Sequence, residues 1–418
     1  MTTTNTQRAE KIITRCRQLA AFTEVPGETT RPFLSPSMHE VHTLLRQWME
    51  AAGMTVHIDA IGNLRGLYPA ITPNAPRLII ASHLDTVPNA GAFDGILGVV
   101  LGVTIIEELR NQHLPLAIEV IGFSEEEGVR FSKPFLGSLA LIGKLDAETL
   151  TRTDTNGTTI AKTIRNFGLN PDDLHAATLS PETFAYLEFH IEQGPVLESE
   201  SRPLGIVAAI AGQTRLQLTF TGQANHAGTT PMHLRHDAMA AAAEWITAVE
   251  AYATNAPSLV ATVGKIEASP NAGNVIAETV IASLDIRHAN DQIRTTAVAS
   301  LLEAANTIAN KRGVKIASHI HLDQPAVPMD AHLTHLLQTA ATQAGLPSRT
   351  MTSGAGHDAM ILAPHIPSTM LFLRSPGGIS HHPDETVLPE DIEAALATAM
   401  EFLSILSEDI SSTKEAHA

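Results

Sequence analysis

The sequence predicts an α/β protein in which a mostly parallel-sheet domain is interrupted by a smaller α+β domain. In the first half, short β-branched runs alternate with longer helical stretches, which is typical of an α/β sheet covered by helices. This alternation gives way to a different pattern near Gly212 and returns after Pro325. The chain has 418 residues, which is more than one hydrophobic core usually serves. We therefore expect one domain formed by residues 1–211 and 328–418, with an inserted domain at 212–327.

The first half contains four candidate strands and two well-marked helices. The strands are Thr55–Asp59, Asn63–Tyr68, Arg77–Ala81 and Ala117–Phe123. Ser37–Ala52 has the spacing of an amphipathic helix, with a capping box of Ser37 and Glu40 and a stop at Gly53, while Ile96–Leu109 is predicted to be a buried helix. Polar segments follow the third and fourth strands, so we expect a site at the edge of the sheet where those strands end.

The inserted region has its own order of elements, which is βαββαβ. Its candidate elements are a strand at Arg215–Thr221, a helix at Asp237–Tyr252, strands at Leu259–Ile266 and Glu278–Arg287, a further helix, and a strand at Val314–His321. The second helix has Asn290 as a plausible N-cap and Gly313 just past its end. This order predicts a compact α+β module.

Composition excludes several classes of protein. Hydrophobic residues make up 44% of the chain and charged residues 17%, which is typical of a globular enzyme and not of a disordered segment. The net charge of −17 disfavours nucleic acid and anionic membrane surfaces as partners. The longest apolar stretch, Gly95–Ile106, is too short for a membrane span, and Met1–Lys11 lacks a secretory signature. With Cys16 as the one cysteine, we expect a cytoplasmic protein without an internal disulfide framework.

Five separated segments present side chains of the types that bind metal ions. They are His83 and Asp85 in SHLDTV, Asp94 in FDG, Glu125, Glu126 and Glu127 in SEEEGVRF, His190 in HIEQGP, and His381 and His382 in GGISHHPDE. Imidazole and carboxylate hold Zn²⁺ or Mn²⁺ while leaving a position for water. Asp85 is placed to accept a bond from the second ring nitrogen of His83. Each segment alone is more typical of a polar cluster, a solvated helix face or a surface turn. Together the segments weaken that interpretation and leave a metal-dependent hydrolase as an equal alternative.

Four segments resemble the motifs of a known family. They are GQTRLQLTFTGQANHAGTTPM, FHIEQGPVLE, MTSGAGHDAM and GGISHHPDE. These are similar to the motifs of the allantoate amidohydrolase and N-carbamoyl-L-amino-acid hydrolase family, which includes β-ureidopropionases and is related to aminoacylases and carboxypeptidases. The resemblance runs in order from about Thr30 to the end, and it implies a dinuclear-metal catalytic domain with an inserted dimerisation and lid domain.

The resemblance implies two divalent metal ions per subunit, Mn²⁺ or Zn²⁺, with Co²⁺ or Ni²⁺ as alternatives. One ion would be held by His83, Asp94 and His190, and the other by Asp94, Glu127 and His381. His357 would support these ligands without binding the ions itself.

The same resemblance makes Glu126 the general base, which takes a proton from water and later delivers one to the leaving amine. The run of three glutamates leaves Glu125 as an alternative. Glu126 and Glu127 are preferred because the family places its working pair directly before the glycine, here Gly128. His382 is similarly an alternative to His381.

The resemblance also implies a substrate site that recognises a small carboxylate. Asn274 in NAGNVI and Arg287 in DIRH would hold the carboxylate, since a guanidinium can donate two parallel bonds to it. Gln193 would hold the ureido group, and Gly354–Gly356 would contribute backbone contacts. Its local sequence alone favours a different interpretation, in which Arg287 is an arginine on the surface of a strand.

Within the family, three segments resemble allantoate amidohydrolases most: RPFLSPSMHE, RQWMEAAGMTV and FSEEEGVRFSKPFLGS. We therefore expect hydrolysis of allantoate to ureidoglycine, ammonia and CO₂. An N-carbamoyl-L-amino-acid hydrolase or β-ureidopropionase is the alternative, and a dipeptidase or aminoacylase is less compatible with HIEQGP and GAGHDA. A catalytically inactive binding relative is disfavoured because every implied ligand and the base are present.

His226, in NHAGTTPM, has two interpretations. Its local sequence favours a residue that caps the turn after Arg215–Thr221. The resemblance instead implies a homodimer in which His226 reaches the active site of the partner chain and stabilises the oxyanion, with closure of a hinge between the domains.

Overall fold

The computed structural model describes residues 5–417, so the first four residues of Met1–Lys11 lie outside it. The helices are α1 Asn5–Ala20, α2 Met38–Ala51, α3 Ile96–Glu108, α4 Leu136–Leu141, α5 Ala147–Leu150, α6 Ile160–Asn166, α7 Val196–Ser199, α8 Ala238–Thr254, α9 Asp291–Arg312, α10 Ala331–Gln343, α11 Ala359–Leu362 and α12 Pro389–His417. The strands are β1 Thr55–Ile58, β2 Leu64–Tyr68, β3 Arg77–His83, β4 Ala117–Phe123, β5 Thr183–Ile191, β6 Leu204–Ile210, β7 Gly212–Thr221, β8 Val260–Thr262, β9 Ile266–Ser269, β10 Thr279–His288, β11 Lys315–Gln324, β12 Val327–Pro328, β13 Ser348–Ser353 and β14 Ser368–Leu373.

The chain divides into two compact units. Residues 1–208 and 329–418 form the main unit, and residues 209–328 form the inserted unit. Each unit has its own hydrophobic core. Across residues 5–417, no helix is both long and apolar enough to cross a membrane.

The larger sheet has the strand order β1-β2-β4-β3-β5-β14-β6-β12, with β13 paired to β6. Its central strands β4, β3, β5 and β14 are mutually parallel, whereas the flanking strands are antiparallel. The central strands are buried on both faces, as expected for parallel strands between helices. The predicted α/β class with a largely parallel central sheet is confirmed.

The register of the parallel strands brings the polar segments to one edge. His83 at the end of β3 lies beside Phe123 at the end of β4, directly before Ser124 and the three glutamates. His190 near the end of β5 pairs with Phe372 of β14. Because carboxyl ends of parallel strands meet at the same edge of a sheet, these segments become neighbours.

The inserted unit is a five-stranded antiparallel sheet in the order β11-β7-β10-β8, with β9 also paired to β10. Its core includes Trp245, whose indole N–H donates to the carbonyl of Leu301 at 2.9 Å. The helix predicted between Asn290 and Gly313 is confirmed: Asn290 caps it with its side chain, and Gly313 takes a left-handed φ of 64°. The predicted strand Leu259–Ile266 is instead two short strands, β8 and β9, interrupted around Gly264.

The predicted capping box of Ser37 and Glu40 is wrong. Ser37 has helical backbone angles, and its side chain makes no capping bond. Its hydroxyl lies 3.2 Å from that of Ser35, and its N–H donates to Glu24 at 2.8 Å. Ser37 therefore bonds to Ser35 and to Glu24, and its side chain does not cap the helix.

Candidate metal centre

His83, Asp94 and His190 form the first cluster of candidate ligands. Their ligand atoms lie within 4.8 Å of one another, and all three side chains are buried. Asp94 Oδ1 lies 3.1 Å from His190 Nε2 and 3.5 Å from His83 Nε2, yet none of the described residues donates a hydrogen bond to it. Three atoms converging without hydrogen-bond geometry is the arrangement expected of ligands that share a cation.

The outer nitrogens of both histidines fix which inner nitrogen can bind. His83 Nδ1 lies 3.0 Å from the backbone carbonyl of Asp85, and His190 Nδ1 lies 3.0 Å from that of Ile191. A carbonyl only accepts, so each Nδ1 carries the proton, and Nε2 presents its lone pair when the ring is neutral. The two Nε2 atoms face each other at 3.4 Å. The predicted bond from His83 to the Asp85 carboxylate is longer, at 3.5 Å.

Asp94, Glu127 and His381 form the second cluster. His381 Nε2 lies 3.2 Å from Asp94 Oδ2 and 3.6 Å from Glu127 Oε1. The neighbouring His382 instead faces Asp384, with 3.6 Å between its ring and that carboxylate. The geometry therefore favours His381 over His382, and it places Asp94 between the two clusters.

The three glutamates point in different directions. Asp85 accepts the backbone N–H groups of Glu126 at 2.9 Å and Glu127 at 3.1 Å, which fixes both residues at the end of β4. Glu125 turns back to accept the N–H of Gly128. Glu126 and Glu127, but not Glu125, group with His83 as candidate ligands. The preferred assignment of Glu126 and Glu127 thus agrees with the side-chain directions.

The charges of the site favour a cation. Burial raises the pKa of Glu126 well above its ordinary value, although His83 opposes this. Burial and the charge of Asp94 raise the pKa of Glu127 to about 7. Burial opposes protonation of His83, but the nearby carboxylates of Asp85 and Asp94 hold its pKa well above the ordinary value. Buried carboxylates therefore favour positive charge where the ring nitrogens meet, and a divalent ion supplies it.

Other predicted residues of the main unit lie around these clusters. Gln193 has a left-handed φ of 58°, and its amide nitrogen donates to Asp94 Oδ2 at 3.1 Å. His357 is buried with its ring centroid 4.5 Å from that of His190, and burial holds its pKa well below the ordinary value. Gly354 is exposed and has open space where a side chain would stand, so no steric constraint requires glycine there.

Asn63 is a supporting residue that could not be selected from the sequence. Its side-chain oxygen accepts the N–H of Ser124 at 3.0 Å, and its amide nitrogen donates to the carbonyl of Gly137 at 3.1 Å. These two residues begin and end the segment that carries Glu126 and Glu127. Asn63 is fully buried, so only its contacts in the fold reveal this role.

His226, Asn274 and Arg287 lie in the inserted unit and are not all neighbours there. His226 and Val275 form an isolated bridge, which brings His226 close to Asn274. Arg287 lies near the opposite end of β10 and is paired with Asp285 at 2.8 Å. It lies eight residues from Thr279 along this strand, or roughly 26 Å at about 3.3 Å per residue. Asn274 lies beyond Thr279, where its carbonyl accepts the N–H of Ala227. The inserted unit of one chain therefore cannot place Arg287 and Asn274 on the same carboxylate.

Comparison with known proteins identifies the chain's relatives. Allantoate deiminase 2 of Glycine max is 38% identical and covers 95% of this chain and 89% of its own length. N-carbamoyl-L-amino acid amidohydrolase of Geobacillus stearothermophilus is also 38% identical, covering 92% and 95%. A hydantoinase/carbamoylase family amidase from Burkholderia ambifaria superposes with a TM-score of 0.89 at 32% identity, covering 94% of this chain and 96% of its own. The resemblance found in the motifs is thereby confirmed.

The sequence profile of peptidase family M20/M25/M40 matches residues 79–404. That match spans the main unit's metal-ligand segments and the whole inserted unit. The chain belongs to peptidase family M20/M25/M40.

Proposed function

We propose that this protein hydrolyses a ureido C–N bond of a small carboxylate, with allantoate as the first substrate to test. The observation that carries the proposal is the pair of clusters that share the buried Asp94, with the carboxylate of Glu126 beside them. This arrangement supplies ligands for two divalent ions together with an additional carboxylate that can move a proton. We expect Mn²⁺ or Zn²⁺ as the ions.

The relatives make the chain a hydrolase of the amidohydrolase kind. They do not identify the substrate, because two allantoate deiminases and one N-carbamoyl-L-amino acid amidohydrolase are equally similar to this chain, at 38% identity. The choice of allantoate depends on RPFLSPSMHE, RQWMEAAGMTV and FSEEEGVRFSKPFLGS, which resemble the allantoate branch. Cleavage of N-carbamoyl-L-amino acids is the alternative.

The residues of the site suggest how the reaction proceeds. Divalent ions, when bound, bring the pKa of a water down to roughly 7 and polarise the ureido carbonyl. Glu126 takes the proton of the attacking water and holds it until the C–N bond breaks. It then protonates the leaving nitrogen. Carbamate breakdown completes the conversion of allantoate and water to ureidoglycine, ammonia and CO₂.

Substrate binding requires donors and acceptors beyond the metal ligands. Gln193 Oε1 is buried without a hydrogen-bond partner among the described residues, so it can accept an N–H of the ureido group. Arg287 is half-buried and pairs with Asp285, and we propose that its guanidinium also binds the substrate carboxylate.

The separation of Arg287 from Asn274 favours a homodimeric site. Since one inserted unit cannot bring both to a single carboxylate, we propose that Arg287 comes from one chain and Asn274 from the other. His226 lies next to Asn274, so it would reach the same site from the partner. It would there stabilise the oxyanion on the attacked carbonyl. A cytoplasmic location remains a prediction.

A substrate panel tests this function. The protein, reconstituted with Mn²⁺ or with Zn²⁺, is incubated with allantoate, ureidoglycolate, N-carbamoyl-β-alanine and several N-carbamoyl-L-amino acids. We expect metal-dependent release of ammonia, fastest from allantoate. The Glu126→Gln variant, prepared in parallel, controls for contaminating activity. Faster cleavage of an N-carbamoyl amino acid would select the alternative, and no ammonia above the variant's level from any compound would contradict the proposal.

A further inference from the structure

Glu385, the last residue of the GGISHHPDE segment, contacts two segments that carry candidate metal ligands. It is 5% exposed and lies four residues after His381. Its Oε1 accepts the backbone N–H groups of Phe93 and Asp94, each at 3.0 Å. Its Oε2 lies 3.3 Å from the hydroxyl of Ser380. Glu385 therefore links the loop of Asp94 to the loop of His381.

The bonds to Phe93 and Asp94 fix the backbone from which the shared ligand projects. Two consecutive N–H groups converge on one oxygen, so the direction of the Asp94 side chain depends on the position of Glu385. The approach is close: a side chain at Gly91 would collide with the Glu385 carboxylate. The short Gly91–Asp94 loop thus wraps around Glu385.

The hydroxyl of Ser380 has two carboxylate acceptors but only one proton. It lies 3.3 Å from Asp94 Oδ2 and 3.3 Å from Glu385 Oε2. Gln193 donates to the Ser380 oxygen at 3.2 Å, so the Ser380 proton must point away from Gln193. When it points to Glu385, Asp94 Oδ2 keeps its electron density for a metal ion. When it points to Asp94, it weakens that oxygen as a ligand.

We propose that Glu385 is a positioning residue for Asp94, the candidate ligand shared by the two clusters: it anchors the Asp94 backbone and takes the Ser380 hydroxyl bond, so that Asp94 Oδ2 does not also accept that proton. The inference rests on the metal centre proposed above.

Three variants separate these roles. Glu385→Gln keeps an oxygen for the two backbone N–H groups but replaces Oε2 with an N–H₂ donor, which turns the Ser380 proton toward Asp94. Ser380→Ala removes that proton. The double variant combines both changes. Asp384→Asn is the matched control, because it makes the same carboxylate-to-amide change at an exposed position in the same segment.

Metal affinity is measured by competition with a chromophoric chelator for Zn²⁺, and ligand geometry is monitored by the absorption spectrum of the Co²⁺-loaded protein. We expect Glu385→Gln to weaken Zn²⁺ binding by roughly 10-fold or more and to alter the Co²⁺ spectrum. Ser380→Ala and Asp384→Asn should bind within about threefold of wild type, and the double variant should return to the level of Ser380→Ala.

The possible results distinguish this inference from others. Wild-type affinity in Glu385→Gln would overturn it. A double variant as weak as Glu385→Gln would overturn it too, since the loss would then come from removing a negative charge and not from the Ser380 proton. A purely structural role would lower the unfolding temperature of the metal-free protein and leave the affinity unchanged. Failure of the wild-type protein to bind Zn²⁺ or Co²⁺ would instead contradict the metal centre itself.

Discussion

The two units hold their candidate functional residues in opposite ways. In the main unit, side chains from segments far apart in sequence meet in a buried cluster, with His83 Nε2 and His190 Nε2 3.4 Å apart. In the inserted unit, His226 is exposed, and it lies toward one end of a long antiparallel pair while Arg287 lies toward the other. The candidate metal ligands thus all belong to one folded unit, whereas His226 and Arg287 of the inserted unit do not converge.

This difference indicates a division of roles between chemistry and recognition. Metal ligands must be fixed before an ion binds, because their geometry determines affinity. Residues that recognise a substrate can be brought together later by assembly or closure. We therefore expect substitutions in the main unit to affect metal binding and turnover, and substitutions in the inserted unit to act on turnover and substrate affinity without loss of metal.

The largest expected effect is at Glu126. Glu126→Gln should retain near-stoichiometric metal but lose roughly 10²–10⁴-fold in turnover, because the variant cannot accept a proton. Asp94→Ala should lose metal and activity together, since Asp94 belongs to both clusters. Metal content by elemental analysis and kcat for ammonia release check the two results.

Glu125→Gln is the control for the assignment of the base. Its carboxylate accepts the N–H of Gly128 and an amide oxygen can do the same, so we expect a smaller loss of turnover than at Glu126. If Glu126→Gln remained active while Glu125→Gln lost activity, the assignment would be off by one residue. Unchanged metal content in Asp94→Ala would exclude Asp94 as a shared ligand.

The candidate metal ligands could be selected from sequence because each lies in a short, recognisable segment, and the structure brings them together. The strand-end positions of His83 and the glutamates followed from strand assignment alone, since parallel strands end at one edge. Asn63 could not be found this way, because its role depends on contacts with Ser124 and Gly137, which are distant in sequence. Glu385 was visible in its motif, but its bonds to the Asp94 loop were not.

The next largest effect is expected at His226. His226→Ala should lose about 10²–10³-fold in turnover while keeping its metal, because an oxyanion donor is removed. His233→Ala is a matched control, since it removes another exposed histidine of the same loop. An equal loss in both variants would indicate a general disturbance of the loop.

A complementation experiment asks which chain His226 serves. His226→Ala and Glu126→Gln proteins are mixed, with subunit exchange verified by a tag. If His226 acts on the partner chain, each heterodimer has one site without a lesion, and about a quarter of wild-type activity should return after random exchange. If His226 acts within its own chain, every site keeps a lesion and no activity returns.

The distance between Asn274 and Arg287 in the inserted unit could not be predicted from sequence. The resemblance assigned Asn274 and Arg287 to one carboxylate, but the register of β10 against β7 places them far apart. The sequence does not predict the interruption between β8 and β9, because the apolar run around Gly264 is typical of one continuous strand. Local patterns thus gave the class of each element, and the pairing of strands decided which residues meet.

The smallest of these effects is expected at Arg287, and it tests recognition most directly. Arg287→Ala should lower kcat/KM for a carboxylate substrate at least roughly tenfold, because a charge-assisted bond typically contributes about 1.5–3 kcal/mol. The loss must be selective, so an amide analogue of the substrate should be nearly indifferent to the change. Arg215→Ala is the matched control: Arg215 pairs with the same Asp285, at 2.9 Å, and its removal perturbs that aspartate in a similar way. An equal loss in Arg215→Ala, or an equal loss for both substrates, would mean that Arg287 supports the strand and does not bind the carboxylate.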